Sequence, residues 1–257
     1  MSMSLAIPYQ DPIDRGQLIQ EPGGFRNPRT GFLYAVHDGI PVFLTSGAVE
    51  GPNARYQQLY DRFAPLYNAS TWLYAKLKSG AEAARRKTYL DLLELRNGAS
   101  FLEVSVGTGA NWPYLNPDTD FYGLDLSAGM LARCRRQAQN LKLRFQLCQG
   151  LAEHLPFPDD AFDAVFHVGG INFFTDPAAA LREMVRVSKP GVRLVVVDET
   201  EQLAARHENK PFAKAFFKNR PRTIMPPAAL LPEGMREVDV REICGGDLYV
   251  LSWRKPN

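Results

Sequence analysis

From about residue 100 onward, continuously apolar runs alternate with stretches of helical period. The apolar runs resemble buried parallel strands and lie at 100–106, 121–125, 143–148, 162–168 and 192–197. Helices are predicted between them, most clearly at 127–139, with Ser127 as N-cap, and at 176–187. This alternation predicts an α/β, doubly wound fold, with a parallel sheet and helices on both of its faces.

Both ends of the chain depart from that alternation. Residues 235–243 and 248–253 flank a glycine turn and predict an antiparallel hairpin at the sheet edge. Aromatic and aliphatic residues recur at helical spacing over 53–79, with a kink at Pro65, and a further helix covers about 81–95. We therefore expect a domain of residues 51–257 that begins with a helical cap.

Residues 1–50 form a separate unit that is rich in proline and glycine. Apolar runs at 32–36 and 40–44 are joined through Asp38-Gly39, a typical turn pair. The pattern predicts a small hairpin appendage ahead of the α/β domain.

Residues 101–111 have the pattern of a ligand-binding loop. An apolar strand that carries Glu103 leads into a turn with Gly107 and Gly109, where a ligand can approach the backbone. The next apolar run ends at Asp125, whose carboxylate can accept hydrogen bonds from ribose hydroxyls. Glycines also serve ordinary turns, but the spacing of the loop and Asp125 favours a nucleotide site.

Composition narrows the classes of function. A net charge of +2 over 257 residues gives no general case for nucleic acid or an acidic partner. Cys134, Cys148 and Cys244 lie far apart without metal-ligand spacing, so we expect reduced thiols and no metal. No apolar run reaches the roughly eighteen residues of a membrane span, and no signal-peptide pattern is present. We expect a cytoplasmic protein without a membrane span.

Four segments, in order, resemble the class I S-adenosylmethionine-dependent methyltransferases, and within them the small-molecule and quinone-type branch with a type 11 domain. Residues 102–109 resemble the cofactor loop, and 123–127 the ribose-binding turn. Residues 151–157 resemble the adenine-side segment, and 181–191 the helix and turn before the fifth strand. The resemblance implies a seven-stranded, mostly parallel, Rossmann-like sheet that ends in the antiparallel hairpin.

The resemblance also implies S-adenosylmethionine as cofactor, S-adenosylhomocysteine as its product, and no metal. It assigns cofactor contacts to Tyr60, Glu103, Ser105, Val106, Gly107, Gly109, Asp125, Leu126, Met130, Gly150, Leu151, Ala152, Glu153 and His167. Two of these residues depart from the family's pattern. Ser105 replaces the first loop glycine, and Leu151 replaces an aspartate that binds the adenine amino group, so adenine contacts would fall to groups near Ala152 or to Glu153.

Three residues are candidates for the acceptor side of the site. His167 lies near the carboxyl end of its strand, where it can act as a base toward a hydroxyl, thiol or acidic carbon. It can equally contact the cofactor or pack in the core. Asn172 and Tyr67 can orient a substrate.

Residues 34–44 resemble the end of a small zinc-ribbon-like domain that occurs alone and fused ahead of some methyltransferases. The ligand cysteines of that family are absent, so the resemblance implies a degenerate hairpin held together by packing. A plain lid or docking hairpin is the alternative.

Three functions fit these observations. The first is methylation of a small apolar or aromatic acceptor, at an O, S, N or C nucleophile, by a monomer or homodimer. The second is rRNA or tRNA base methylation, suggested by the hairpin and by the basic stretch 203–222, although a charge run is usually a solvated face. The third is a cofactor-binding protein without methyl transfer, suggested by Ser105 and Leu151.

Overall fold

The computed structural model describes residues 7–45, 47–59, 61, 82–207 and 223–257. The strands, in chain order, are β1 (Ile19–Glu21), β2 (Gly24–Arg26), β3 (Leu33–His37), β4 (Ile40–Pro41), β5 (Ser100–Val104), β6 (Asp120–Asp125), β7 (Arg144–Gln149), β8 (Ala164–Val168), β9 (Arg193–Glu199), β10 (Arg236–Ile243) and β11 (Leu248–Arg254). The helices are α1 (51–59), α2 (82–90), α3 (Ala128–Asn140), α4 (Pro177–Val187) and α5 (Glu201–His207).

The larger sheet has seven strands in the order β10-β11-β9-β8-β5-β6-β7. Strands β5 to β9 pair in parallel, and the β10–β11 hairpin joins β9 in the antiparallel direction. The predicted doubly wound, mostly parallel fold and its C-terminal hairpin are confirmed. The chain runs from β5 to β6 and β7 on one side, and then returns to place β8 and β9 on the other side. The strand order therefore reverses at β5 and β8, whose carboxyl ends open a crevice.

Alternate residues of the central strands face two apolar layers, because side chains in a strand alternate between the faces of the sheet. Leu102 and Val104 pack in the layer that contains α4, whereas Phe101 packs in the layer that contains α2 and α3. Helix α3 begins as predicted, with the Ser127 hydroxyl accepting a hydrogen bond from the Met130 backbone N–H over 3.1 Å.

The N-terminal residues form a four-stranded antiparallel sheet in the order β1-β2-β3-β4. The predicted hairpin corresponds to β3 and β4, but its second strand ends at Pro41 rather than residue 44. Strands β1 and β2 were not predicted, since three-residue strands among glycines and prolines carry too short a pattern. Residues 42 and 43 then attach this sheet to β7, and the Phe43 N–H donates to the Gln149 carbonyl over 2.7 Å.

Two further outcomes concern the helical cap. Helix α2 ends at residue 90 and continues as a 3-10 turn over Asp91–Leu93, because Glu94 adopts a left-handed conformation with φ +50°. The helix predicted over 81–95 is thus too long.

Three predicted features lie outside the described residues: the kink at Pro65, the distal part of the aromatic stripe and most of the basic stretch 203–222. Among the helices that are described, none is both long and apolar enough to cross a membrane.

Candidate active site

A cavity of about 490 Å³ lies at the crevice between the carboxyl ends of β5 and β8. Helices α1 and α2 border it on the cap side, and the loop after β5 and the ends of β6, β8 and β9 border it on the sheet side. Ligands of doubly wound sheets bind at such a reversal of strand order. The cavity is therefore the candidate site.

The glycine loop leaves its backbone open to this cavity. Gly107 has φ +55°, and a Cβ added there would meet no other atom within 4 Å. Gly109, at φ +74°, serves packing instead, because a Cβ there would come within 2.8 Å of the Cys134 sulfur on α3. Gly107 thus provides space for a ligand, and Gly109 provides close contact between the loop and the helix.

The Asp125 carboxylate holds this loop against the end of β6. Its Oδ2 accepts a hydrogen bond from the Gly107 N–H over 2.7 Å, and its Oδ1 accepts one from the Ser127 N–H over 2.8 Å. Burial raises the pKa of Asp125 to about 6, and the two backbone hydrogen bonds oppose that shift. The carboxylate lines the cavity and keeps acceptor capacity for a further donor.

Ser105 occupies a backbone conformation that favours glycine. Its φ is +57°, in the left-handed region, although the residue carries a side chain. The turn itself therefore requires a positive φ at residue 105, where the family's pattern has glycine. Ser105 lines the cavity, so its side chain adds bulk next to the ligand space.

Glu103 ends a polar chain that enters the cavity from helix α2. The Asn111 amide donates to Glu103 Oε1 over 2.5 Å, while the Asn111 carbonyl oxygen accepts hydrogen bonds from Arg86 and from the Tyr89 hydroxyl. Arg86 also pairs with Glu82 over 2.7 Å. Burial raises the pKa of Glu103 to about 7, and its Oε2 is buried without a hydrogen-bond partner in the part of the chain that is described.

An aromatic wall borders the cavity between α1 and the end of β8. Tyr56 stacks on Phe173, with ring centroids 4.7 Å apart, and Phe174 lies beside them. Asn53, one turn before Tyr56, fixes α1 through its amide, which donates to Glu153 Oε1 over 2.9 Å. The wall gives this side of the cavity an apolar, flat-faced surface.

Asp198 and Glu199, at the carboxyl end of β9, also line the cavity. Asp198 Oδ1 accepts from the Gly170 N–H over 2.8 Å, and its Oδ2 accepts from the Asn172 amide over 3.2 Å. Glu199 Oε2 is buried and has no hydrogen-bond partner among the described residues. Burial and the adjacent Asp198 carboxylate raise the pKa of Glu199 well above its ordinary range. The sequence prediction missed this pair, although an apolar run that ends in acids is the signal that identified Asp125.

His167 is fully buried on β8 and does not line the cavity. Its Nδ1 bonds the Val104 carbonyl over 2.9 Å, and the Phe174 ring stands edge-on at 5.2 Å. Burial lowers the pKa of His167, so the neutral ring is favoured. Asn172 is also buried behind the cavity wall, where its amide donates to Asp198 and, over 2.9 Å, to the Tyr249 hydroxyl.

The predicted cofactor residues thus divide into three groups. Those that line the cavity are Glu103, Ser105, Val106, Gly107, Asp125, Leu126 and Met130. Those that do not line it are Gly109, Gly150, Leu151, Ala152, Glu153 and His167. Tyr60 and the acceptor-side candidate Tyr67 lie outside the described residues. No group of three or more His, Cys, Asp or Glu side chains in the described ranges is arranged to hold a metal.

Residues 102–196 match the family described as "Methyltransferase domain". The chain is 37% identical over 145 residues to a demethylmenaquinone methyltransferase of Thermus thermophilus, a match that covers 54% of this chain and 64% of the relative. A demethylmenaquinone methyltransferase of Paenarthrobacter aurescens is 32% identical over 141 residues, a match that covers 54% of this chain and 53% of that relative. The chain thus spans little more than half of the length of this relative.

Solved structures share the fold at low sequence identity. The [4+2]-cyclase SpnF superposes with a TM-score of 0.58 at 20% identity, over 80% of this chain and 96% of that chain. The phosphoethanolamine N-methyltransferase 2 of Haemonchus contortus, solved with S-adenosyl-L-methionine, has a TM-score of 0.56 at 15% identity, over 68% of this chain and 53% of that chain. Residues 102–196 thus match the methyltransferase domain family, and the sheet order and the crevice are those of the Rossmann-like methyltransferase fold.

Proposed function

We propose that this protein transfers a methyl group from S-adenosylmethionine to a small, apolar, quinone-type aromatic acceptor. The observation that carries the proposal is one cavity bordered both by the loop of Glu103, Gly107 and Asp125 and by the ring wall of Tyr56 and Phe173. The relatives named demethylmenaquinone methyltransferases support an acceptor of this class.

The cavity residues fit this cofactor. Glu103 Oε2 is a buried acceptor without a partner in the described chain, and it suits the ammonium of the methionine part. The open space over Gly107 would be lost to any side chain, as expected where a ligand lies against the backbone. Asp125, with acceptor capacity left, would bind the ribose hydroxyls.

When bound, S-adenosylmethionine supplies a methyl group that its positive sulfonium already activates. The chain's own contribution is then mainly to place the acceptor and to exclude water. Tyr56, Phe173 and Phe174 offer flat apolar faces for an aromatic acceptor, and holding a nucleophile in line can supply several kcal/mol, up to about 7–11 in the best intramolecular cases.

The test is to incubate the protein with S-adenosylmethionine and a short-chain demethylmenaquinone reduced to its quinol. We expect a product heavier by one methyl group in mass spectrometry, and none from Gly107→Val. An rRNA transcript is assayed in parallel. Methylation of the transcript but not of the quinol would replace this proposal by the RNA alternative. Among the described residues, Arg206 is the one arginine or lysine of the basic stretch 203–222.

Binding of the cofactor without turnover on quinol, phenol, thiol or transcript would favour a cofactor-binding protein that transfers no methyl group. Ser105 is the observation in its favour, because a side chain stands at a positive-φ position beside the ligand space.

We further propose that the N-terminal sheet is a metal-free cap on the edge of β7, in keeping with a degenerate zinc-ribbon-like hairpin. Phe43 packs its ring against Tyr9 at 4.7 Å and against Tyr34 at 5.3 Å, and its N–H bonds the Gln149 carbonyl. The Gln149 amide in turn donates to the carbonyl of Leu126, which lines the cavity, over 2.9 Å. In the zinc-ribbon-like family, ligand cysteines hold the hairpin together. Here the ring packing around Phe43 and the hydrogen bonds of Gln149 take over that role.

A further inference from the structure

The part of the cavity next to Asp125 is where the base of the cofactor would lie. In an adenosyl group the ribose links the base to the sulfur, so a ribose at Asp125 places the base away from the loop that follows β5. Leu126 and Met130, which come after Asp125 in the chain, line the cavity, and so does Gln57 of α1, whose side chain contacts Leu126. These three residues therefore surround the space for the base.

The residues that the resemblance assigns to the adenine do not reach this space. Leu151, at the position where the family's pattern has an aspartate, is buried and does not line the cavity, and neither do Ala152 and Glu153. Glu153 is also engaged already, since its Oε1 accepts hydrogen bonds from the Asn53 amide and the Asp176 N–H. An adenine amino group enclosed without an acceptor would lose the hydrogen bonds that it makes in water. Its acceptor must therefore come from another element.

Gln57 offers an acceptor oxygen in this part of the cavity. Its Nε2 donates to the Leu126 carbonyl over 3.1 Å. A carbonyl oxygen can only accept, so this bond decides which end of the amide is the nitrogen. Oε1 is the other end, and it accepts no hydrogen bond from the described residues. Gln57 is partly exposed and lines the cavity, so a ligand can reach its side chain.

Contacts on both sides of Gln57 hold it in position. Asn53 lies four residues earlier, on the same face of α1, and its amide donates to Glu153 in the adenine-side segment over 2.9 Å. Four residues after Gln57, Asp61 accepts a hydrogen bond from the Ser127 hydroxyl at the start of α3. This face of α1 is thus held against both the adenine-side segment and the end of β6, which limits how far the Gln57 amide can move.

We propose that Gln57 Oε1 accepts a hydrogen bond from the 6-amino group of the adenine, in place of the aspartate that the family's pattern has at residue 151. Gln57 is then a specificity-determining residue for the base of the cofactor. Its Nε2 keeps the bond to the Leu126 carbonyl, so one side chain joins the base to the residue that follows Asp125. A site built to accept from an amino group discriminates strongly against an analogue that lacks this donor. The inference rests on the proposed function, through its cofactor.

The experiment compares two ligands that differ only in the donor. They are S-adenosylhomocysteine and its 6-deamino analogue, which has purine in place of adenine, and calorimetry measures both affinities without turnover. We expect the wild type to bind S-adenosylhomocysteine at least about tenfold more tightly than the analogue. Gln57→Met, whose side chain has a similar length but no amide oxygen, is expected to reduce this ratio of affinities to less than about threefold.

Gln149→Met is the matched control. The Gln149 amide also donates to the Leu126 carbonyl, over 2.9 Å, but Gln149 does not line the cavity. This variant loses the same kind of hydrogen bond without a change in the lining, so we expect it to keep the wild-type ratio. A merely structural role of Gln57 would weaken both ligands by the same factor and leave the ratio unchanged in Gln57→Met. An equal loss of the ratio in Gln149→Met would trace the effect to Leu126 and contradict the proposal.

The outcomes distinguish this inference from the proposed function. If the wild type binds S-adenosylhomocysteine but the ratio is near one, or is the same in Gln57→Met, the role of Gln57 alone is overturned. If the wild type binds neither ligand, the proposed function is overturned and this inference with it. If the ratio falls as expected but the quinol is not methylated, the adenine contact stands and the acceptor assignment fails. Should thermal unfolding show that Gln57→Met does not fold, Gln57→Asn decides, because an unchanged ratio with the amide drawn back by one methylene also contradicts the proposal.

Discussion

The Asp125 carboxylate accepts the Gly107 backbone N–H over 2.7 Å, so the acid at the end of β6 and the glycine loop after β5 form one unit. A ligand that contacts one of them meets the other already in place. Such preorganisation lowers the entropic cost of binding.

Asp125→Ala is expected to weaken S-adenosylmethionine binding more than tenfold, or about 1.4 kcal/mol, because it removes both the ribose acceptor and the hold on the loop. Isothermal calorimetry measures the affinity. Asp120→Ala, at the other end of the same strand, is the control and leaves it unchanged. An unaltered affinity in Asp125→Ala would show that the ribose is bound elsewhere.

Gly107→Val is expected to abolish cofactor binding in a protein that still folds, because the side chain fills the ligand space. Gly98→Val is the matched control: Gly98 also has positive φ, at +73°, and open space around its Cβ position, but it does not line the cavity. Both variants bear the same backbone strain of about 1–2 kcal/mol, and only Gly107→Val loses calorimetric binding. Normal binding by Gly107→Val would remove the loop from the site.

Ser105→Gly is expected to raise the free energy of unfolding by about 0.5–1 kcal/mol, because glycine adopts φ +57° without the Cβ penalty. Urea denaturation measures the change. Ser105→Ala removes the hydroxyl but keeps the strain, so it yields no such gain. A gain of equal size in both variants would trace the effect to the hydroxyl rather than to the backbone.

The contribution of Glu103 to the stability of the unliganded protein is expected to fall as pH rises. The pKa of Glu103 is about 7 in the folded chain against a usual 4.5, so the folded state binds the proton more tightly, and stability decreases as pH rises between these values and is level above. The loss amounts to about 3 kcal/mol at most. Asp125, with a pKa raised to about 6, adds a decline in the same direction.

Urea denaturation at several pH values checks this slope. Glu103→Gln is expected to make this slope shallower, leaving the shares of Asp125 and Glu199, whereas Glu242→Gln on the surface leaves it as in the wild type. A slope in Glu103→Gln equal to that of the wild type would contradict the assignment.

Phe43→Ala is expected to lower the free energy of unfolding by about 3–5 kcal/mol, since the ring is buried among those of Tyr9, Phe25 and Tyr34. Phe32→Ala, at the residue just before β3 and 42% exposed, is expected to cost about 1 kcal/mol or less. Similar losses in the two variants would show that the N-terminal sheet is not held by this cluster.

The amino-acid sequence by itself determined the α/β alternation, the hairpin at the C-terminal edge and the loop of Gly107 with Asp125. These features follow from local pattern: the apolar period selects strands and helices, and a glycine turn after a buried strand has few other uses. Local pattern did not predict strands β1 and β2, because three-residue strands are decided by packing. It also did not predict that helix α2 ends at residue 90, because the left-handed conformation of Glu94 decides that end.

Only the tertiary structure decided which polar groups share the cavity. His167 and Glu199 both lie at the carboxyl ends of parallel strands, yet His167 is behind the wall and Glu199 lines it. Arg86 and Asn111, separated by 25 residues, meet beside Glu103 only because α2 packs in the same layer as Phe101 of β5. A sequence carries the hydrophobic period of each element. Which side chain faces a cavity depends on how elements that are distant in the chain pack together. This packing is fixed only when the hydrophobic core forms.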